Sequence, residues 1–142
     1  MTLKPLLNKE PEDHWLLAVI ANAYYEKKQY ETAYKYITDA VLIEPKCPLV
    51  LWNLASIFRM VGKQGDAIIV WGEIIKKGAK AIAYDKCGEG IARARSLVND
   101  SKYMISKTYK ELGNSVLAEG FKQAYLKNLS KGVQSNYDPA TL

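Results

Sequence analysis

Two stretches of this sequence decide its fold: ANAYYEKKQYETA at residues 21–33 and ASIFRMVGKQGDA at residues 55–67. They lie 34 residues apart and place small and bulky side chains in the same order. Each begins and ends with alanine and has an aromatic residue, Tyr24 or Phe58, at its fourth position. Apolar residues flank both stretches at helical spacing, so each stretch predicts two helices joined by a short turn.

A 34-residue repeat with this order of residues resembles the tetratricopeptide repeat (TPR), in which each copy is a pair of antiparallel helices. Pro45 ends the first copy where the TPR pattern has its proline, whereas Ala79 occupies that place in the second copy. Gly62 falls in the turn of the second copy, where a positive φ is often required, and Lys28 holds the same place in the first copy.

A third, weaker copy lies 51 residues after the second, which is one period plus a 17-residue insertion. Its matching residues are Ile105, Ser106, Tyr109, Gly113 and Ala118. Lys102 and Lys122 depart from the pattern, because they stand where it has bulky apolar residues. From Ile91 to Leu112 the apolar spacing is helical throughout, which favours one long helix over a second helix capped by residues 99–101.

The resemblance is to a small bacterial-type TPR protein, and it implies an all-α fold: a right-handed superhelix of antiparallel helix pairs with about three repeats. We therefore predict a single TPR-like domain over residues 1–142. Its parts are repeats at about 14–47, 48–81 and 99–132, an insertion at 82–98 and an irregular tail at 133–142.

Composition agrees with a folded chain that works inside the cell. The residues are 49% hydrophobic and 25% charged, which does not suggest disorder. No apolar run reaches the roughly 18 residues of a membrane span, and the N-terminus lacks a signal-peptide pattern, so we expect a cytoplasmic protein without membrane contact. Cys47, Cys87 and the only histidine, His14, do not make a zinc site of ordinary ligand count, so we expect reduced thiols, no metal and no cofactor.

In a TPR array the first helix of each pair lines the concave groove, and the register of the repeat places ten residues there as candidate partner-binding residues. We call them the partner face: Trp15, Val19, Asn22, Tyr25, Trp52, Asn53, Ser56, Arg59, Tyr103 and Lys107. Aromatic anchors supply affinity and amides hold an extended backbone, so the face predicts a protein or peptide ligand. The alternative for any one of these aromatic residues is packing in the core.

One TPR subtype grips terminal carboxylates with cations at three slots. Ala18, Asp100 and Met104 occupy those slots here, so we do not expect this chain to bind a carboxylate pair.

The predicted function is that of a protein–protein interaction adaptor rather than an enzyme. His14 is the only histidine, so no Ser-His-Asp triad could be built without it, and no glycine-rich phosphate loop follows a strand. Two alternatives remain open. The net charge of +5, with Lys107 beside Tyr103, would suit an RNA-binding helical repeat, although acidic residues on the same face argue against nucleic acid. The apolar residues of the last helix would suit a homodimer through the last helix pair, unless the tail folds back over them.

Overall fold

A computed structural model describes residues 13–142, and residues 1–12 of the predicted domain lie outside the described part. Over residues 13–142 the chain is all-helical without strands, which confirms the predicted all-α class. The elements are α1 His14–Glu26, α2 Tyr30–Ile43, α3 Pro48–Met60, α4 Gln64–Ala83, α5 Ile91–Glu111, α6 Ser115–Ser130 and a 3-10 turn Pro139–Thr141.

The predicted single long helix is confirmed, since α5 is continuous across residues 99–101. At Gly78 of α4 the backbone leaves helical geometry with φ 82° and ψ 158°, and helix resumes as far as Ala83. The described residues form two compact units, residues 13–67 and 68–142, with the boundary inside α4.

In the first unit, helices pack closely because the alanines of the repeated motif are buried completely. Ala21, Ala33, Ala55 and Ala67 have no exposed surface, so the backbones that carry them can approach their neighbours without intervening side chains. Helix α1 packs on α2, and α3 packs on both. Asp13 caps α1 by accepting a hydrogen bond from the Leu16 amide at 3.0 Å.

Aromatic residues fill the space beside these alanines. The rings of Tyr24 and Tyr36 stack with centroids 5.5 Å apart. Tyr34 of α2 meets Phe58 of α3 at 5.8 Å, and the Lys63 ammonium lies 5.4 Å from the Tyr34 ring centroid. Tyr24 and Phe58 are the aromatic residues at the fourth position of the two motif stretches, and both pack against tyrosines of α2.

The turns after α1, α3 and α5 have the same backbone geometry at the same repeat position. Lys28, Gly62 and Gly113 have φ of 61°, 86° and 82°. In each turn the next residue's amide donates to the carbonyl of the repeat's aromatic residue. The three bonds are Gln29 to Tyr24 at 2.9 Å, Lys63 to Phe58 at 2.8 Å and Asn114 to Tyr109 at 2.9 Å. This geometry satisfies carbonyls that a helix end leaves without partners.

The second unit contains the antiparallel pair α5 and α6. As the chain advances along α5, its contacts move backwards along α6. They run from Asn99 with Asn128 at 3.0 Å, through Tyr103 with Tyr125, to Ser106, whose hydroxyl donates to the Ala118 carbonyl at 2.6 Å. Before this pair, the loop after α4 is held by an ion pair of 2.6 Å between Lys77 and Asp85.

The turn positions yield a test of the shared geometry. Lys28 adopts a left-handed backbone that costs a residue with a Cβ about 1–2 kcal/mol, so Lys28→Gly should raise the stability to urea. The gain should stay below about 1 kcal/mol, because glycine also loses more chain entropy on folding. Gly62→Ala should lower stability by about 1 kcal/mol. Urea unfolding followed by circular dichroism measures both changes, and a loss of stability in Lys28→Gly would contradict the assigned turn.

Candidate functional site

Eight residues of the partner face lie on α1 and α3 of the first unit, and their exposure differs. Trp15 is 56% exposed and Asn22 is also exposed. The half-buried residues are Val19, Tyr25, Trp52 and Arg59, and the buried ones are Asn53 and Ser56. The surface open to a ligand therefore centres on Trp15 and Asn22.

Tyr25 and Arg59 connect the first two repeats. Burial raises the pKa of Tyr25 above its usual range, while the positive charge of Arg59 lowers it in part. The Tyr25 ring also meets the edge of Tyr30 at 5.5 Å. The charge of Arg59 on α3 thus acts on Tyr25 of α1, the helix on which α3 packs.

The side-chain amide of Asn53 is not exposed to a ligand, although its residue type suggested that it would hold a ligand backbone. The side chain is 8% exposed and its amide nitrogen donates to the Leu49 carbonyl of the same helix at 3.1 Å. Ser56, one turn further on, is buried as well. For these two residues the structure shows burial within the fold, which leaves Asn22 as the exposed amide of the face.

The last two residues of the partner face, Tyr103 and Lys107 of α5, belong to the second unit. Tyr103 is only 2% exposed, and the chain's own tail covers it. The Tyr137 ring stacks on Tyr103 with centroids 4.5 Å apart and planes 8° apart, and the Tyr103 hydroxyl forms a hydrogen bond with Thr141. Lys107 is half-buried, with its ammonium 5.9 Å from the Tyr103 ring centroid.

Asp100, one turn before Tyr103, binds the same tail through both carboxylate oxygens. The Ser135 hydroxyl donates to Oδ1 at 2.5 Å and the Asn136 amide donates to Oδ2 at 3.1 Å. Ser135 in turn accepts hydrogen bonds from the Tyr125 hydroxyl at 2.7 Å and the Tyr137 amide at 3.1 Å. The buried carboxylate therefore accepts one hydrogen bond from a hydroxyl and one from a backbone N–H of the tail.

The tail follows α5 in the same direction as the helix. The Ser96 hydroxyl donates to the Gln134 carbonyl at 2.5 Å, and the Lys110 ammonium donates to the Leu142 carbonyl at 3.4 Å. Between these ends lie the contacts of Asp100 and Tyr103. Ser96 and Lys110 are about 21 Å apart along the helix at 1.5 Å per residue. The tail, predicted to be irregular, is thus ordered by contacts with one stripe of α5 and ends in a 3-10 turn.

Sequence reasoning missed this arrangement. The missed signal is the pair Asn99 and Asp100, which puts an amide and a carboxylate into the middle of a helix where both are buried. Asn99 joins α5 to α6, because its amide donates to the Tyr125 carbonyl at 3.2 Å. Asp100 faces the tail instead. A polar pair of this kind indicates that something with donors must pack against it.

No family model matches the chain, and no curated protein matches it. Among residues 13–142, none of the helices combines the length and apolar character needed to cross a membrane. Within the same residues, neither Cys47 nor Cys87 takes part in a disulfide.

The protonation of Asp100 provides a test of the tail contact. Burial raises its pKa, and the hydrogen bonds from Ser135 and Asn136 offset only part of this rise. Since the folded carboxyl holds its proton more tightly than the unfolded one, its contribution to stability is present at low pH and is lost as pH rises through the folded pKa. Wild type should therefore gain stability relative to Asp100→Asn as pH falls from about 7 to about 4.

Urea unfolding of both proteins across that pH range measures the difference. The groups that face Asp100 are the Tyr125 hydroxyl and the tail's Ser135 and Asn136, and none of them titrates between those pH values. A difference that stays constant with pH would mean that Asp100 is solvated and not covered by the tail. A difference that moves in favour of Asp100→Asn on acidification would mean that the hydrogen bonds to the carboxylate outweigh the effect of burial on its pKa.

Proposed function

We propose that the chain is a TPR-type adaptor that binds a segment of a partner protein on the exposed part of the partner face, and that it works in the reducing interior of the cell. The observation that carries the proposal is the turn that recurs at Lys28, Gly62 and Gly113 with the same positive φ and the same closing hydrogen bond. Helix pairs with one repeated geometry favour stacking, and the right-handed superhelix is part of this proposal.

The chemistry of the α1 and α3 surface supports a peptide or protein ligand. Trp15 exposes more than half of its surface on a folded helix, and tryptophan with arginine and tyrosine is the composition of binding hot spots. Asn22 can hydrogen-bond an extended backbone from the same side of α1, two turns after Trp15. Tyr25 and Arg59 extend this surface from α1 to α3.

The geometry favours a protein ligand over RNA. An RNA site on α5 would need Tyr103 as a stacking platform for a base beside Lys107. The Asp100 carboxylate lies one turn before Tyr103 on the same helix and would repel the phosphates of a nucleic acid, whether or not the tail covers the ring.

Self-association is a second candidate, and it is favoured by apolar residues around the turn between α5 and α6. Leu112 is 51% exposed, Val116 81% and Leu117 43%. The tail contacts α6 through Tyr125 and leaves these residues uncovered. Adjacent exposed apolar side chains of this size are typical of interfaces.

The adaptor proposal can be tested with a displayed library of random peptides panned against the wild-type chain. Enriched peptides should bind Trp15→Ala/Asn22→Ala at least about tenfold more weakly, since a hot-spot tryptophan contributes 2 kcal/mol or more. Leu42→Ala is the matched control, because Leu42 is an exposed apolar residue of α2 outside the partner face. Fluorescence anisotropy measures the affinities.

The salt dependence separates the two ligand classes. Peptide affinity should change little between about 50 and 200 mM salt, whereas phosphate-driven binding falls steeply. If no peptide is enriched, or if the double variant binds enriched peptides as wild type does, the proposed site is wrong.

The self-association candidate predicts a concentration-dependent dimer. Sedimentation equilibrium at tens of micromolar should show a dimer for wild type and a monomer for Val116→Glu, because a charge buried in an apolar interface without a partner is strongly unfavourable. Lys122→Glu places the same charge elsewhere on α6 and serves as the control. A wild-type monomer at these concentrations would contradict this candidate.

A further inference from the structure

We propose that the surface formed by Ser96, Asp100, Tyr103 and Tyr125 is a peptide-binding site for an extended segment with a serine two positions before an aromatic residue, and that residues 134–142 occupy it in cis. We call this surface the α5 site. This inference rests on the proposed function. It adds the chemistry of the ligand that binds the α5 part of the partner face, and it adds the means by which the chain blocks that part.

The first element of recognition is the carboxylate. Asp100 accepts a side-chain hydroxyl and the next residue's backbone N–H at the same time. A carboxylate has no donor, so it selects a segment that offers donors and rejects one that brings negative charge. The slot that carries a cation in carboxylate-binding TPR proteins therefore has the opposite preference in this chain.

The second element is the position of the hydroxyl. Ser135 donates to Asp100 and accepts from both the Tyr125 hydroxyl and the Tyr137 amide. Each of these hydrogen bonds needs an oxygen on a short side chain. Alanine would leave the Asp100 carboxylate and the Tyr125 hydroxyl without this partner, whereas a hydroxyl residue in the ligand restores all three bonds.

The third element is an aromatic platform two residues further on. Tyr103 lies against Tyr125 edge to face at 5.3 Å and offers its own face to the ring of Tyr137. The near-parallel stack at 4.5 Å fixes the spacing between hydroxyl and ring in the ligand. Such ring pairs add to the affinity that comes from area alone.

The tail has the properties of a ligand rather than of core. Not one residue from 133 to 142 is buried, and the chain beyond Tyr137 is largely exposed. Its attachment consists of hydrogen bonds and one ring stack, which contrasts with the buried residues between α5 and α6. Because the tail is tethered, its local concentration is high, and a free peptide with the same pattern has to compete with it. The tail would therefore keep the α5 site closed until a stronger ligand replaces it.

The experiment uses full-length variants in which the tail is released. Ser135→Asp puts a negative charge against the Asp100 carboxylate, and Tyr137→Ala removes the ring without adding charge. Asn136→Ala is the matched control, because Asn136 has an exposed side chain and contacts Asp100 through its backbone amide. The probe is a fluorescent peptide with the sequence VQSNYDPATL of residues 133–142.

Both release variants should bind this peptide at least about tenfold more tightly than wild type and Asn136→Ala do, because the tethered competitor is gone. A peptide with alanine in place of its serine or its tyrosine should lose that binding. Adding Asp100→Ala to Tyr137→Ala should abolish binding while circular dichroism still reports the helices.

Equal binding of the probe to all variants, or binding to none of them, would overturn the inference. These outcomes are separable from failure of the proposed function, since library peptides that depend on Trp15 and Asn22 report on α1 alone. If library peptides bind equally well without Trp15 and Asn22 while the probe still binds as expected, the α5 site is supported and the α1 site is wrong.

Discussion

The first unit depends on close approach between helices, which only the smallest side chains allow. Ala21, Ala33, Ala55 and Ala67 retain no solvent-exposed surface, and any larger residue at these places would have to displace a neighbouring helix in a tightly packed interior. The aromatic residues beside them can then be large, because the space they fill is set by the alanines. The turns have to return the chain at a fixed angle for this packing to recur. A residue with a left-handed backbone therefore appears in the turns after α1 and α3, including at Lys28, where a side chain makes that backbone unfavourable.

In the second unit the comparable constraint is a buried charge. A carboxylate that loses its water needs donors, and α5 supplies none for Asp100 because its backbone amides are used within the helix. The tail supplies them through Ser135 and the Asn136 amide. Burial raises the pKa of Asp100, and these two hydrogen bonds act in the opposite direction. The tail contact therefore depends on the pattern of donors that the segment offers to the carboxylate.

Much of the helical architecture could be predicted from the sequence, because helix pairs and turns follow from local periodicity. The repeat positions of Tyr24 and Phe58 predict that both side chains pack between helices, and the glycine at position 62 predicts a left-handed backbone. The tail could not be predicted in this way. Its contacts join Asp100 to Ser135 across 35 residues, and no period links them. Register arguments predicted that Tyr103 lies on the partner face, but they cannot distinguish an open face from one that another part of the chain covers, and Tyr103 is covered by the tail.

The partner face is therefore divided by the chain itself. On α1 the residues around Trp15 meet solvent, whereas on α5 the residues around Tyr103 are covered by an extended segment that follows the helix. The two surfaces also differ in chemistry, since Trp15 and Asn22 offer an apolar anchor and an amide while Asp100 demands donors. Each surface therefore selects a different ligand chemistry, so the contribution of one can be separated from that of the other by its own variants.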